Sequence, residues 1–371
     1  MNVLQTIEQF IAQTKRTIEG YLSVERKNIL IVSYYPTYRK QYGDLIKRLK
    51  EKYNVITIVD RILNDEFEKS GHYNVLFPWR IIENGQTFYL NADIQGIDLI
   101  LSADQVGYED GRIDRTFLST TAKRIYFPHS LIEATGASEV VDYILVPSKI
   151  AMESFQKTLK QSKVKLLKSG YPKLDKAIQG YCYQDSNAIT YAPSLRYVSG
   201  DNANLNLFAG FENSVIETLL EYTYYNISYR AHPMNFQNNH SFYNLIKAKW
   251  QNEKRVKFDE KMGNDFCNTS EFLITDFSTT AFTFSFSTLR PSIFFAPLQL
   301  DTYLANYISF VSMGGGGQIR CLKELKEVLK RATFQEDTKR IKDFRDEIVY
   351  HTGESVKIIL EQIEQILQGG L

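Results

Sequence analysis

The chain has 371 residues, of which 43% are hydrophobic and 23% charged, a composition typical of a folded protein with about two domains. Its 44 Lys and Arg residues balance its 43 Asp and Glu residues, which excludes the broadly basic surface of a nucleic-acid-binding protein. The three cysteines, Cys182, Cys267 and Cys321, form no C-x-x-C pair, which argues against structural zinc and favours a reducing compartment.

The N-terminal segment carries apolar residues at helical spacing from Val3 to Ile18, which predicts an amphipathic helix. We expect this helix to pack on the domain rather than on a membrane, because few basic residues accompany it. Residues 1–22 lack the layout of a signal peptide, and no apolar run reaches the roughly 18–20 residues of a membrane span. The sequence therefore predicts a cytoplasmic protein whose membrane contact, where there is one, is peripheral on the inner face.

Short apolar runs alternate with helical stretches along the whole chain, which is typical of parallel sheets covered on both faces. The runs in the first half are NILIVS (28–33), VITIVD (55–60), DLILSA (98–103), KRIYF (123–127) and YILVP (143–147). Those in the second half are KVKLLKS (163–169), AITYA (188–192), NISYR (226–230), RVKF (255–258), EFLIT (271–275) and SIFF (292–295). Helices are predicted at 42–53, 208–221, 241–250, 280–288 and 354–367.

This pattern predicts an α/β fold of two Rossmann-like, doubly wound domains that face each other across a cleft. We place an N-terminal domain at residues 1–165, a second domain at 166–350 and a terminal helix at 351–371. In open α/β sheets, ligands bind beyond the carboxyl ends of the strands. The candidate functional residues are therefore those that follow predicted strands.

The segment FLITDFSTTAF (272–282) runs from a strand into a helix through Asp276, Ser278, Thr279 and Thr280. Hydroxyl groups beside the free N–H groups of a helix start form a site suited to phosphate. Asp276 or Ser278 would equally serve as an ordinary N-cap.

Two histidines also follow predicted strands. In YRAHP (229–233), Arg230 is suited to bind phosphate oxygens, and His232 is able to exchange a proton near neutral pH. In IYFPHSL (125–131), His129 occupies the corresponding position in the first half. A loop histidine stacked on Pro233, or a structural histidine at 129, would give the same pattern.

Two further segments are commonplace when taken singly: SGYPKLD (169–175), with Gly170, Tyr171 and Lys173, and YAPSLR (191–196), with Pro193, Ser194 and Arg196. The run Gly314–Gly317 lacks both phosphate-loop frames, which favours a flexible loop. No clustered Asp-x-Asp indicates a metal site.

Taken in order, SGYPKLD, YAPSLR, YRAHP and LITDFSTTAF followed by RPSIFF resemble the CDP-glycerol glycerophosphotransferase family of teichoic acid and capsule polymerases and primases. The resemblance is strongest over roughly 165–300 and extends to IYFPHSL and the C-terminal YHTGESVKII. It implies a GT-B-like fold, with the acceptor side at residues 1–165 and the nucleotide-donor-binding domain at 166–350. It also implies transfer of a polyol phosphate, glycerol phosphate above all, from a CDP-linked donor to a hydroxyl of a lipid-linked or oligosaccharide acceptor. It implies no cofactor, because the CDP-linked donor is a substrate.

The resemblance also assigns roles to the candidates. His129 and His232 are the catalytic residues, His129 as the base that takes the proton of the attacking hydroxyl. The expected donor-binding residues are Arg230, Asp276, Ser278, Thr279, Thr280, Arg196, Lys173, Gly170, Tyr171, Pro193 and Ser194.

The chain departs from the family pattern at three positions: Ser130 replaces a Gly, Lys173 an Arg and Phe277 a Tyr. A glycosyltransferase of the same fold that uses a nucleotide sugar is the first alternative. A non-catalytic nucleotide- or polymer-binding subunit of a capsule assembly complex is the second. The identity of the polyol, the acceptor and the oligomeric state stay open at the level of sequence.

Overall fold

A computed structural model of the chain describes residues 3–34, 36–59, 73–103, 116–134, 140–160, 162–196, 210–237, 241–261, 263, 265–297, 303–330 and 335–370. These residues form two compact units. Unit 1 comprises residues 1–176 and 349–371, and unit 2 comprises residues 177–348.

Strands and helices alternate along both units. The strands are β1 (Asn28–Val32), β2 (Asn54–Val59), β3 (Tyr73–Leu76), β4 (Arg80–Glu83), β5 (Gln86–Tyr89), β6 (Leu99–Ser102), β7 (Lys123–Tyr126), β8 (Tyr143–Val146), β9 (Lys165–Lys168), β10 (Ala188–Tyr191), β11 (Asn226–Tyr229), β12 (Val256–Phe258), β13 (Ser270–Thr275), β14 (Ser292–Phe295) and β15 (Gln318–Ile319). The α-helices are α1 (Val3–Gly20), α2 (Leu45–Lys52), α3 (Lys149–Thr158), α4 (Pro172–Gly180), α5 (Phe211–Tyr222), α6 (Pro233–Gln237), α7 (Ser241–Trp250), α8 (Phe266–Thr269), α9 (Thr280–Thr288), α10 (Ile308–Val311), α11 (Leu322–Leu329), α12 (Gln335–Ile348) and α13 (Ser355–Leu367). Short 3₁₀ helices occupy Pro36–Tyr42, Tyr303–Asn306 and Met313–Gly315.

The core of unit 1 is a seven-stranded, fully parallel sheet in the order β3-β2-β1-β6-β7-β8-β9. Every residue of β1 and β8 is buried, as expected for strands covered on both faces. Helix α1 packs on this core through Ile7, Phe10 and Ile11, and the ring of Phe10 stacks on Phe77 with centroids 6.1 Å apart. The N-terminal helix therefore packs on its own domain, as its sequence predicts.

The core of unit 2 is a six-stranded parallel sheet in the order β12-β11-β10-β13-β14-β15. Every residue of helix α9 from Ala281 to Thr288 is buried, so the helix exposes none of its faces to solvent. Its Phe286 contacts Phe344 of α12 with ring centroids 5.9 Å apart. Both units are thus Rossmann-like α/β structures, in agreement with the predicted fold class.

The boundary between the units differs from the predicted division at 165 and 166. Strand β9 pairs in parallel with β8, from Tyr143 opposite Lys165 to Val146 opposite Lys168, and so completes the sheet of unit 1. The chain passes into unit 2 only within α4. Helix α13, predicted as a separate terminal helix, belongs to unit 1.

Candidate functional site

Three strand ends lie side by side at the carboxyl edge of the sheet in unit 2. Strands β11, β10 and β13 are adjacent and parallel, so the segments that follow them emerge at the same edge. These segments carry the predicted donor-site residues Pro193, Ser194 and Arg196 after β10, Arg230 and His232 after β11, and Asp276, Ser278, Thr279 and Thr280 after β13. The structure therefore brings together these nine candidates on one unit.

The carboxylate of Asp276 joins the segments after β10 and β13. It is 3% exposed and accepts hydrogen bonds from the backbone N (3.0 Å) and the Oγ (2.9 Å) of Ser194. It also accepts a hydrogen bond from the backbone N of Phe277 at 2.7 Å. The N-cap of α9 is Thr279 rather than Asp276, so the carboxylate ties two loops together instead of capping the helix.

The guanidinium of Arg196 lies between two carboxylates. Its Nε donates to Glu212 Oε1 at 2.8 Å and its Nη1 to Asp276 Oδ2 at 2.7 Å, and the residue is 5% exposed. Burial by itself would lower the pKa of Arg196, but the charges of Asp276 and Glu212 outweigh burial and raise it. Arg196 therefore stays charged, and its cation holds the loops around the carboxyl edge.

Asn235 connects the histidine segment to the same network. Its Oδ1 accepts from the backbone N of Arg196 (3.1 Å), its Nδ2 donates to the backbone O of Arg196 (2.7 Å), and its own N donates to the backbone O of His232 (2.8 Å). Asn235 and Glu212, each 3% exposed, are not among the site residues predicted from the sequence. Glu212 is a polar residue inside a predicted helix, and Asn235 lies two residues after the YRAHP segment. Neither position indicates a site residue without knowledge of the fold.

Arg230 and His232, which follow β11, are both half-buried. Arg230 Nη1 donates to Asp259, its Nη2 donates to the backbone O of Gly263 at 2.6 Å, and its guanidinium lies 4.7 Å from the ring centroid of Phe266. His232 Nδ1 accepts a hydrogen bond from the backbone N of Met234 at 3.3 Å. With Nδ1 as acceptor, the proton of the neutral imidazole is placed on Nε2, which is then a hydrogen-bond donor.

The start of α9 differs in one respect from the sequence expectation. The backbone N of Thr280 donates to Ser278 Oγ (3.2 Å), and the backbone N of Ala281 donates to Ser278 O (3.1 Å). These N–H groups are therefore engaged inside the turn rather than open to a phosphate. The side chain of Thr279 makes no capping hydrogen bond. The side-chain hydroxyls of this turn, rather than its backbone N–H groups, are therefore suited to bind an anion.

His129 lies at the carboxyl edge of the sheet in unit 1, just after β7. Burial, and after it the positive charge of Lys173, lower the pKa of His129 to about 4. The Tyr171 hydroxyl lies 2.8 Å from the backbone O of His129 and also hydrogen-bonds Gln41 Oε1. His129 is thus a neutral imidazole near pH 7, which is the protonation state that a general base needs.

The SGYPKLD segment also belongs to unit 1, so Gly170, Tyr171 and Lys173 are on a different unit from the other predicted donor residues. Asp175 Oδ1 accepts from the backbone N of Gly353 (2.7 Å), and its Oδ2 accepts from the backbone N (2.9 Å) and the hydroxyl of Ser355. Much of this motif therefore fastens the C-terminal segment to unit 1.

The four-glycine run, Gly314–Gly317, forms a turn in which two backbone N–H groups donate hydrogen bonds to side chains of the chain itself. The backbone N of Gly314 donates to Asp337 Oδ1 and the backbone N of Gly317 to Ser312 Oγ, both at 2.8 Å. In the described ranges, no group of three or more His, Cys, Asp or Glu side chains is arranged to hold a metal ion. None of the helices within those same ranges is both long and apolar enough to span a membrane.

Solved structures similar to this chain share its fold at low sequence identity. The wall teichoic acid polymerase TagF is 14% identical, with a TM-score of 0.60 over 99% of this chain and 97% of that chain. The UDP-GlcNAc 2-epimerase of Methanocaldococcus jannaschii, in complex with UDP-GlcNAc and UDP, is 13% identical, with a TM-score of 0.56 over 91% of this chain and 99% of that chain. The S. aureus protein MnaA in complex with UDP is 12% identical, with a TM-score of 0.57 over 92% and 97%. These likenesses place the chain among two-domain folds of the GT-B type.

No curated protein sequence matches the chain. A family profile does match, over residues 118–365, which is more than half of the chain and includes both histidine segments. The chain belongs to the CDP-glycerol:poly(glycerophosphate) glycerophosphotransferase family.

Proposed function

We propose that the enzyme transfers glycerol phosphate from CDP-glycerol to a terminal hydroxyl of a poly(glycerophosphate) chain of the teichoic acid type, with release of CMP. The observation that carries the proposal is the arrangement at the carboxyl edge of unit 2, where the segments YAPSLR, YRAHP and TDFST of a glycerophosphotransferase-family chain meet around one ionic network. TagF, which has the same fold, is a wall teichoic acid polymerase.

The reaction exchanges one P–O bond for another. The acceptor oxygen attacks the phosphorus that carries glycerol, and the bond from that phosphorus to the bridging oxygen breaks. CMP departs with the bridging oxygen and its electron pair, while a ring nitrogen of His129 takes the proton of the acceptor hydroxyl. The products are a polymer longer by one glycerol phosphate and free CMP.

Charge stabilisation is the main demand of this step, because negative charge spreads over the phosphate oxygens and the departing nucleotide. We assign the diphosphate of the donor to Arg230, to the Nε2–H of His232 and to the hydroxyls of Ser278, Thr279 and Thr280. The Asp276–Arg196 ion pair, with Ser194 and Asn235, holds the three loops in place. Pro193 follows β10 and directs the chain out of the sheet at this edge.

The acceptor in this proposal is lipid-linked or an oligosaccharide-primed polymer, so the enzyme would work in the cytoplasm at the inner face of the cell membrane. The proposal includes no cofactor, because the donor supplies the leaving group and the protein supplies the positive charges.

Nucleotide release from a donor panel tests the proposed reaction. Purified enzyme is offered CDP-glycerol, CDP-ribitol and UDP-sugars, each with and without a short oligo(glycerol phosphate) acceptor and with and without EDTA. We expect acceptor-dependent CMP release from CDP-glycerol that EDTA leaves unchanged. UDP release from a nucleotide sugar would instead establish a glycosyltransferase of this fold, and binding without release would establish a binding subunit.

Two histidine variants test the assigned roles in the same assay. We expect His129→Ala and His232→Ala each to lower the rate by about 100-fold or more, the usual loss for a proton-transfer or charge-stabilising group. The matched control is His351→Asn, because His351 is exposed and has a φ of 49°, which Asn tolerates. Near-wild-type CMP release by a folded His232→Ala protein would refute the assignment of His232.

A further inference from the structure

Lys173 belongs to unit 1, as does the proposed base His129, whereas the nine donor-site candidates of the carboxyl edge belong to unit 2. Its Nζ is 6.0 Å from the ring centroid of Tyr171, and the hydroxyl of Tyr171 is 2.8 Å from the backbone O of His129. All three residues belong to unit 1. The Lys173 charge also acts on the imidazole, since it adds to burial in lowering the pKa of His129.

The acceptor brings an anion to this place. In a poly(glycerophosphate) chain, the glycerol that carries the reacting hydroxyl is joined to the rest of the polymer by a phosphodiester. When that hydroxyl reaches His129, the phosphodiester is only a few bonds away. A half-buried ammonium whose charge acts on His129 is the kind of group that binds a single phosphate as a point charge.

We infer that Lys173 binds the acceptor phosphodiester nearest to the reacting hydroxyl and thereby selects a charged, polymeric acceptor. This inference rests on the proposed function. It moves Lys173 from the donor side, where its sequence motif placed it, to the acceptor side. The adjacent Gly170 and Asp175 keep structural roles in fastening the C-terminal segment.

Two acceptors that differ in one charge separate the donor and acceptor roles. One is a short oligo(glycerol phosphate), and the other carries a methyl triester in place of the phosphodiester nearest to the terminal glycerol. We expect Lys173→Met to raise the KM for the charged acceptor by about 10-fold, the usual loss of one charge-assisted hydrogen bond. The KM for CDP-glycerol and the rate with the triester acceptor stay as in the wild-type protein.

The matched control is Lys176→Met on the same helix. The ammonium of Lys176 pairs with Asp44 at 3.1 Å, and its side chain is 65% exposed, so its removal leaves both KM values unchanged. Lys173→Arg keeps the charge and restores most of the affinity for the charged acceptor. An increase in the KM for CDP-glycerol, or an equal loss with both acceptors, would overturn the inference.

The pH profile supplies a readout that a purely structural role would not move. Among the residues that the structure describes, the charge of Lys173 in α4 acts on His129, and the hydroxyl of Tyr171 lies against the His129 backbone O and uncharged Gln41. The loop of His129 itself carries Glu133, whose pKa burial raises. Loss of the Lys173 charge favours the imidazolium form, so the acid limb of kcat/KM moves to higher pH in Lys173→Met. An unshifted limb would contradict the placement of Lys173 beside the base.

Binding without turnover keeps this test independent of the proposed function. Calorimetric titration of each protein with oligo(glycerol phosphate), in the absence of donor, compares wild type with Lys173→Met and Lys176→Met. Weaker binding in Lys173→Met alone supports the inference, even where the donor panel yields no CMP. Equal binding in all three proteins overturns it, whatever the donor panel gives.

Discussion

Buried charge in unit 2 is stabilised by pairing. Arg196 and Asp276 are each 5% exposed or less, and burying either charge without a counter-charge and further hydrogen bonds would cost several kcal/mol. Glu212 supplies a second carboxylate to Arg196, and Ser194 satisfies both oxygens of Asp276. The removal of one partner therefore leaves a desolvated charge behind, which costs more than the attraction between two exposed groups contributes.

Asp276→Asn is expected to destabilise unit 2 by about 3 kcal/mol, the lower end of the cost of breaking a buried ion pair, because Glu212 still faces Arg196. The control is Glu217→Gln, which breaks the exposed pair with Lys249 (2.8 Å, 54% and 46% exposed) and is expected to cost less than about 1 kcal/mol. Urea unfolding followed by circular dichroism measures both. Equal midpoints for the two variants would contradict the assigned role of the network.

Individual residues were predictable where a strand end and a chemical type coincided. Arg230, His232 and Asp276 follow strands that the apolar runs already indicate, so the edge on which they lie follows from the parallel topology. The partners Glu212 and Asn235 were not predictable, because their contacts depend on which strands are neighbours and how the loops turn. The depressed pKa of His129 likewise depends on burial, which the sequence does not contain.

At the scale of elements, the turn before α4 is built for contact with the C-terminal segment. Gly170 has a φ of +77°, and a Cβ added there would lie 2.6 Å from the backbone O of Tyr350 and 2.8 Å from Ser355 Oγ. Ser355 Oγ in turn accepts from the backbone N of Tyr171 at 3.0 Å. Glycine is required here both by conformation and by the close approach of another backbone segment.

Gly170→Ala separates these two requirements when it is compared with Gly85→Ala. Gly85, in the β4–β5 turn, has the same φ of +77°, but an added Cβ there meets no atom within 4 Å. We expect about 1 kcal/mol of backbone strain in both variants and a further loss of about 1–3 kcal/mol in Gly170→Ala from the contact. Thermal unfolding measures the difference between the two variants. Equal melting temperatures would contradict the steric role of Gly170, because they would mean that the turn adjusts to the added Cβ at no cost.

Elements with strong apolar runs were predictable, and the short or peripheral ones were not. Strands β3, β4, β5 and β15 were not predicted because none of them carries a continuous apolar run, whereas β8 and β14, each of four residues, are buried throughout. The β4–β5 turn did contain its signal, Asn84-Gly85, with φ values of 51° and 77°. Helix α12 was missed because its sequence, QEDTKRIKDFRDEI, is mostly charged and only its inner face is apolar.

At the scale of the whole molecule, the chain leaves unit 1 within α4, forms unit 2, and returns to unit 1 at Val349. The return is fixed by hydrogen bonds from the 349–355 segment, including the backbone N of Tyr350 to Pro147 O at 3.0 Å. Helix α13 then buries Ile359, Ile363 and Ile366 completely or nearly so. The periodicity of the sequence predicts helix α13 but not the unit to which it belongs, because an apolar face does not specify which surface covers it.

Ile363→Ala tests this discontinuous unit directly. Ile363 is 0% exposed, and its truncation is expected to cost about 2–5 kcal/mol, as for other large-to-small core changes. Because α13 belongs to unit 1, faster hydrogen exchange should appear in β8 and β9, more than 190 residues earlier in sequence, and not in α11 or α12, which precede α13 directly. The matched variant Leu325→Ala, also at a fully buried position but in the core of unit 2, should give the opposite pattern, with faster exchange in β11 and β14. If Ile363→Ala instead raised exchange in α11 and α12 alone, the C-terminal helix would belong to unit 2, and the base-bearing unit would have to be stable without it.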